Sequence, residues 1–296
     1  MESHINRRGR RTIKPKTRIM SILKFTAHNH KYTSDEHPID WLSVTSFISN
    51  FKQPFEADKI AEKSSKNKKS KWYGMTPEDI KLAWKAEANR ATTLGTWYHN
   101  CREADICGLS DMERHGHTIP VFKPVEVDGI KYSPNQKLSD GIYPEHMVYL
   151  RSAGLCGQSD LVEVINGEVH ITDYKTNKEI KIEGYTNWEG KTQKMSHPVS
   201  HLDDCHLNHY ALQLSMYMYI ILKHNPKLTP GILTIHHILF EEAGRDKYDN
   251  PITALDSQGN PIVLGVVPYD LPYLKQEAIA MIHWLEDNKD KLKPHH

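Results

Sequence analysis

The sequence predicts a single α/β domain with a helical N-terminal extension, on three observations. A capped run of helix formers extends from Thr76 to Gly108. Three short runs rich in Val, Ile and Tyr follow between Glu145 and Lys175, and helical spacing returns over residues 209–223. No internal repeat and no long Gly/Ser linker divides the 296 residues. A basic arm over 1–40 and one domain over 41–296 is therefore the simplest partition.

The elements follow in order. Residues 1–18 carry seven Arg or Lys against one Glu and show no periodicity, which predicts a flexible arm. A second basic run covers 63–71. Between them, WLSVTSFISNF (41–51) alternates imperfectly and opens the fold as a short strand or helix. Thr76-Pro77-Glu78-Asp79 supplies a capping hydroxyl, a proline at the first helical position and two acids where the unpaired N–H groups favour them. A helix is predicted from there to Gly108, with a break at Gly95 as the alternative to a continuous rod, since an interior Gly costs about 1 kcal/mol against Ala. HMVYLRS, LCGQSDLVEVI and EVHITDYKT are separated by the turns Ala153-Gly154 and Asn166-Gly167 and read as three consecutive antiparallel strands. A polar insertion leads to the 209–223 helix, a strand over 231–241 and a closing helix over 271–288.

Composition excludes several classes. No run approaches the roughly 20 apolar residues of a membrane helix, and MESHINRRGRRTIKPK has no signal-peptide core. The expected setting is cytoplasmic, with no membrane partner. The four cysteines, Cys101, Cys107, Cys156 and Cys205, are too few for a disulfide scaffold. With 38 Lys and Arg against 37 Asp and Glu, bulk charge selects no partner.

Chemistry concentrates in the strands. Asp173 and Lys175, two apart, share a strand face, and Asp160 lies across the Asn166-Gly167 turn. Two such carboxylates hold Mg²⁺ or Mn²⁺, with the lysine placed to orient or deprotonate a water or to neutralise charge on phosphorus; a merely solvated strand face is the alternative. Gln213 and Tyr217, four apart, share a face of the next helix. Gly95-Thr96-Trp97-Tyr98-His99 lies on the long helix, with Glu103 one turn beyond.

This ordered set, G-T-x-x-H, then G-x-x-D (157–160), then D-Y-K-T (173–176), then Q-x-x-x-Y (213–217), resembles the RecB-type branch of the PD-(D/E)XK nucleases, which includes CRISPR-adaptation and many bacteriophage exonucleases. The likeness spans roughly residues 41 to 241. It implies a mixed sheet flanked by helices with a restriction-endonuclease-like core, and hydrolysis of DNA phosphodiesters from DNA ends, in the bacterial host cytoplasm if phage-encoded. By the same resemblance His99, Asp160, Asp173 and the Tyr174 carbonyl ligate Mg²⁺ or Mn²⁺, Lys175 is the catalytic lysine, and Gln213 and Tyr217 brace the site or touch the substrate backbone. Glu145 matches a less regular acidic position and is grouped with the substrate contacts. The partner implied is DNA, single-stranded or with free ends. The rival readings are a non-catalytic DNA-binding or assembly subunit and a structure-selective endonuclease.

Four patterns stand apart. No cysteine lies beyond Cys205, so no iron–sulfur cluster is expected. GYTNWEGKT (184–192) mimics a phosphate-binding loop but has five residues between its glycines instead of four, and no ATP is expected. His197, His201, Cys205, His206 and His209 read either as a mixed zinc site or as a polar loop feeding the next helix, the latter favoured. The Met/Tyr run in QLSMYMYIIL is likewise read as core packing in preference to a stacking platform.

Overall fold

The computed structural model describes residues 22–29, 31–35, 39–289 and 292. It is a mixed α/β fold. The five helices among these residues are α1 (Val44–Ser49), α2 (Ala57–Lys66), α3 (Pro77–Cys107), α4 (His206–His224) and α5 (Lys275–Asn288). The central sheet contains β1 (Leu42–Ser43), β2 (Gly141–Leu150), β3 (Leu155–Ile165), β4 (Glu168–Lys175), β5 (Thr229–Phe240) and β6 (Val263–Leu271). No helix among the described residues is long and apolar enough to cross a membrane.

Strands β2, β3 and β4 form an antiparallel meander, as their turns predict. Asn166 and Gly167 both take positive φ, the left-handed pair that a tight two-residue hairpin requires. From β4 the chain crosses through α4 to β5, which pairs parallel to β4, and β6 closes the far edge antiparallel to β5. β3 has three neighbours: β2 covers one edge along Leu155–Val164, so β4 (at Leu161–Ile165) and β1 (at Leu155–Cys156) divide the other. Between them, residues 157–160 of that edge carry no ladder partner.

α3 runs its 31 residues without a break. Thr76 accepts from the Asp79 amide at 3.1 Å, Pro77 opens the first turn, and Gly108 caps the end. The glycine has a packing reason: a Cβ on Gly95 would meet Thr176 Oγ1 at 3.2 Å, where the end of β4 leans on the helix and Thr176 donates to Ala91 O. α4 buries Ala211, Leu212, Leu214 and Met216 through Met218, as well as Ile220 and Ile221, so its Met/Tyr run is core.

Three expectations change. Residues 24–33, placed in the 1–40 arm by the partition, contribute the strands Lys24–Thr26 and Lys31–Thr33 to a separate four-stranded sheet with Val125–Val127 and Ile130–Tyr132. Phe25 and Leu23 are buried there, which anchors a segment whose flanks look polar. The arm over 1–18 lies outside the described residues. The N-terminal extension is thus part strand, part helix. The closing helix begins at Lys275, because Leu271 ends β6, an edge strand that the Gly265 and Pro268 within it disguise.

Candidate active site

The site forms where strand pairing gives way. Pro144 pairs with Leu161 and His146 with Ser159, which sets Glu145 opposite Asp160, yet these two are unpaired. Glu145 takes φ 50°, an uncommon value for a non-glycine residue. The alternation of faces changes phase across it: Tyr143 before it and Val148 and Leu150 after it all enter the main core. The same odd spacing separates Leu155 from Val162 and Val164 around Asp160. A strand keeps a period of two, so both changes of phase need a residue out of regular geometry. On the other side, the β3–β4 ladder ends at Thr172↔Leu161, one row short of Asp173 and Asp160. The freed Tyr174 amide donates to Asp160 Oδ2 at 2.7 Å.

Helix α3 brings His99 to this gap. Its Nδ1 lies 3.3 Å from Asp160 Oδ1 and its Nε2 3.2 Å from the Tyr174 carbonyl. His99, Glu145 and Asp160 each offer a ligand atom, all within 4.8 Å of one another. Asp173 stands beside this group, ion-paired to Lys175 and accepting from Gln213 Nε2 at 3.3 Å. The Lys175 ammonium also lies 5.1 Å from the centre of the Tyr210 ring.

Burial works against every charge here. Burial and then the Asp160 charge push the Glu145 carboxyl up, and Lys131 offsets only part of that. Asp173 is raised by burial and by Asp160, against the pull of Lys175. Asp160 is itself held low, because His99, Lys175 and the Tyr174 amide outweigh its burial. Burial disfavours the His99 imidazolium, but Asp160 and Asp173 raise its pKa to about 9. Two facing carboxylates and an imidazole suit a divalent cation, whose charge would relieve the repulsion between Glu145 and Asp160. The residues present fit such an ion. Ligation uses an unprotonated ring nitrogen, so a cation bound here at neutral pH would displace a proton from His99.

The structure places the expected residues around one gap. Glu145, grouped by sequence with the substrate contacts, joins His99 and Asp160. Asp173 and the Tyr174 carbonyl, expected as ligands, border this group, Asp173 pairing with Lys175 and the carbonyl with the His99 ring. Tyr217 is 2% exposed and beneath β3, where a Cβ on Gly157 would meet its Cε1 at 2.5 Å. It cannot reach a substrate, so of its two expected roles bracing remains: Gln213 donates to both Tyr217 Oη and Asp173. Sequence reasoning missed Lys131, paired with Glu103 at 2.7 Å and with Glu145 at 3.6 Å, and Gln158, which donates to Glu145. No local motif marks Lys131, since its short strand belongs to the other sheet. A groove of about 1210 Å³ leads to these residues, with Tyr32, Trp41, His99, Lys131, Glu145 and Asp160 on its walls.

The competing patterns do not assemble. His201 pairs with Glu277, His209 with Asp204, His206 with the Glu179 carbonyl, and Cys205 with the Ile182 carbonyl. The 184–192 segment closes on itself through a Thr186↔Thr192 bridge and precedes α4 by more than a dozen residues, unlike a phosphate loop that runs directly into its helix. Comparison of the chain with protein-family models, with curated proteins and with solved structures finds no match in any of the three.

Proposed function

We propose that this chain is a metal-dependent DNA exonuclease with a restriction-endonuclease-like core of the RecB-type PD-(D/E)XK kind. The observation that carries the reading is the convergence of His99, Glu145 and Asp160 on the wall of a groove, with the Asp173–Lys175 pair beside them. A divalent cation held by these residues supplies Lewis-acid charge against phosphate oxygens and acidifies water. Mg²⁺ and Mn²⁺ suit the oxygen-rich donor set. Lys175, seated on Asp173, presents a fixed positive charge to the scissile phosphate and offsets the negative charge that grows there during attack. Gln213 holds the Asp173 carboxylate in place, and the Tyr174 carbonyl orients the His99 ring. The groove binds the strand and sets its path toward these groups.

The experiment is a time course with Mg²⁺ or Mn²⁺ on end-labelled linear and covalently closed circular single-stranded DNA. Progressive shortening of the linear strand with circles spared is expected. Equal cutting of circles replaces the reading with an endonuclease. Binding without cutting of either replaces it with a non-catalytic DNA-binding subunit.

A further inference from the structure

A hairpin of the smaller sheet sets the position of Lys131. Strands Val125–Val127 and Ile130–Tyr132 pair antiparallel across Asp128-Gly129, both at positive φ, as a tight two-residue connection requires. The second of these strands also pairs with Lys24–Thr26, so the Lys131 backbone is held from both sides, opposite Phe25 and Glu126. Its side chain reaches the candidate cation site. The ammonium lies 2.7 and 2.9 Å from the two Glu103 oxygens and 3.6 Å from Glu145 Oε2. Only 12% of the side chain is exposed. Burial disfavours its charge, but Glu145 and Glu103 more than offset this and hold its pKa above the ordinary lysine value.

Glu103 lies on α3 four residues after His99, hence on the same helix face, and both line the groove. Two carboxylates on either side of one point repel unless a positive charge lies between them. In two-metal sites for phosphoryl transfer that charge is a second divalent ion, about 3.5–4 Å from the first. Between Glu103 and Glu145 it is an ammonium. The order of the strands places a second lysine across from it: Glu145 is on β2, Asp160 on β3 and Asp173 on β4, with Lys131 paired to the first and Lys175 to the last.

We propose that Lys131 is a built-in substitute for a second cation, filling the place between Glu103 and Glu145 so that the site takes one divalent ion with a lysine on either side. The inference rests on the cation site of the nuclease reading. It makes Lys131 a positioning residue, whose charge favours the ionised Glu145 carboxylate and withholds Glu103 from metal.

The test counts the Mn²⁺ ions bound per chain at saturation, by equilibrium dialysis of the full chain at neutral pH. One ion is expected in the parent and in Lys131→Arg, which keeps the charge. Two are expected in Lys131→Met, which keeps the apolar stem and releases both carboxylates, and one again when Glu103→Gln is added. Because a second bound ion adds to stability, saturating Mn²⁺ is also expected to raise the unfolding temperature of Lys131→Met more than that of the parent. One ion in Lys131→Met with no larger shift overturns the proposal and leaves the lysine as an ion pair between a strand and a helix. A second ion that persists after Glu103→Gln lies elsewhere and overturns it too. Two ions in the parent overturn it while the nuclease reading stands, and no ion in the folded parent removes the cation site on which both rest. The expected counts in a chain that cuts no DNA support the role of Lys131 and overturn the nuclease reading instead.

Discussion

β3 has an apolar end, toward Ile165, and a polar middle, around Asp160, and the two follow different rules. Toward Asn166 the strand pairs row by row with both neighbours, and Val162 and Val164 enter the core with β4's Val169 and Ile171. Toward Ser159 the rows fail at Asp160 on both sides, Glu145 takes a left-handed conformation, and the buried groups are Asp160, Asp173 and their partners. One end stabilises the fold by removing apolar surface from water. The other holds carboxylates close together at a cost to stability. The candidate site is located where the local rules of the sheet are broken.

The sharpest way to break this contrast is at the polar middle. Asp160→Ala and Asp173→Ala are each expected to lower cleavage by about a thousandfold or more, equivalent to about 4 kcal/mol of barrier. Asp173→Ala is expected to leave thermal unfolding little changed, because the repulsion between Asp173 and Asp160 goes together with the contacts to Lys175 and Gln213. Activity in either variant near that of the parent removes the carboxylates from the chemistry. Next in size, Lys175→Ala is expected to reduce kcat by about two to three orders of magnitude, the scale of one lost electrostatic donor, with DNA affinity nearly unchanged. A matching loss of affinity makes the lysine a phosphate contact only. At the apolar end the pattern reverses: Ile171→Ala is expected to lose about 2–5 kcal/mol of stability in denaturant melts while keeping kcat in the cold.

Much of this architecture was legible because its signals are local. Thr76, Pro77 and Gly108 bound α3 by satisfying helix-end groups within a few residues, and Asn166-Gly167 announces a hairpin by its own backbone preference. The motif residues His99, Asp160, Asp173, Lys175 and Gln213 do come together. Illegible was what depends on partners distant in the chain. Glu145 reaches its place through a positive φ that no glutamate signals, and Lys131 meets it from a separate sheet. The brace role of Tyr217 depends on Gly157, sixty residues earlier, leaving room for its ring. β6 was missed because its exposed edge lacks the alternation that burial imposes.

A smaller prediction sharpens the comparison through pH. Burial pushes His146 down to about 4, whereas a histidine in the unfolded chain titrates near 6.5. Between those values the unfolded chain binds the proton and the folded one does not. Stability therefore falls as pH drops from about 6.5 to about 4, by about 3 kcal/mol from this residue. His146→Met is expected to flatten that slope in urea melts at pH 7, 5.5 and 4.5; parallel profiles for the two proteins contradict the assignment.

The central claim is that His99, Glu145 and Asp160 hold one divalent cation, and calorimetric titration of Mn²⁺ at neutral pH, in two buffers of different protonation enthalpy, tests it most directly. The expected result is a single site whose binding releases protons, weakened at least tenfold by Glu145→Gln and by Asp160→Asn, on the scale of even outer-shell changes at metal sites. Equal Mn²⁺ affinity in the parent and both variants, or no binding by the folded parent, contradicts it.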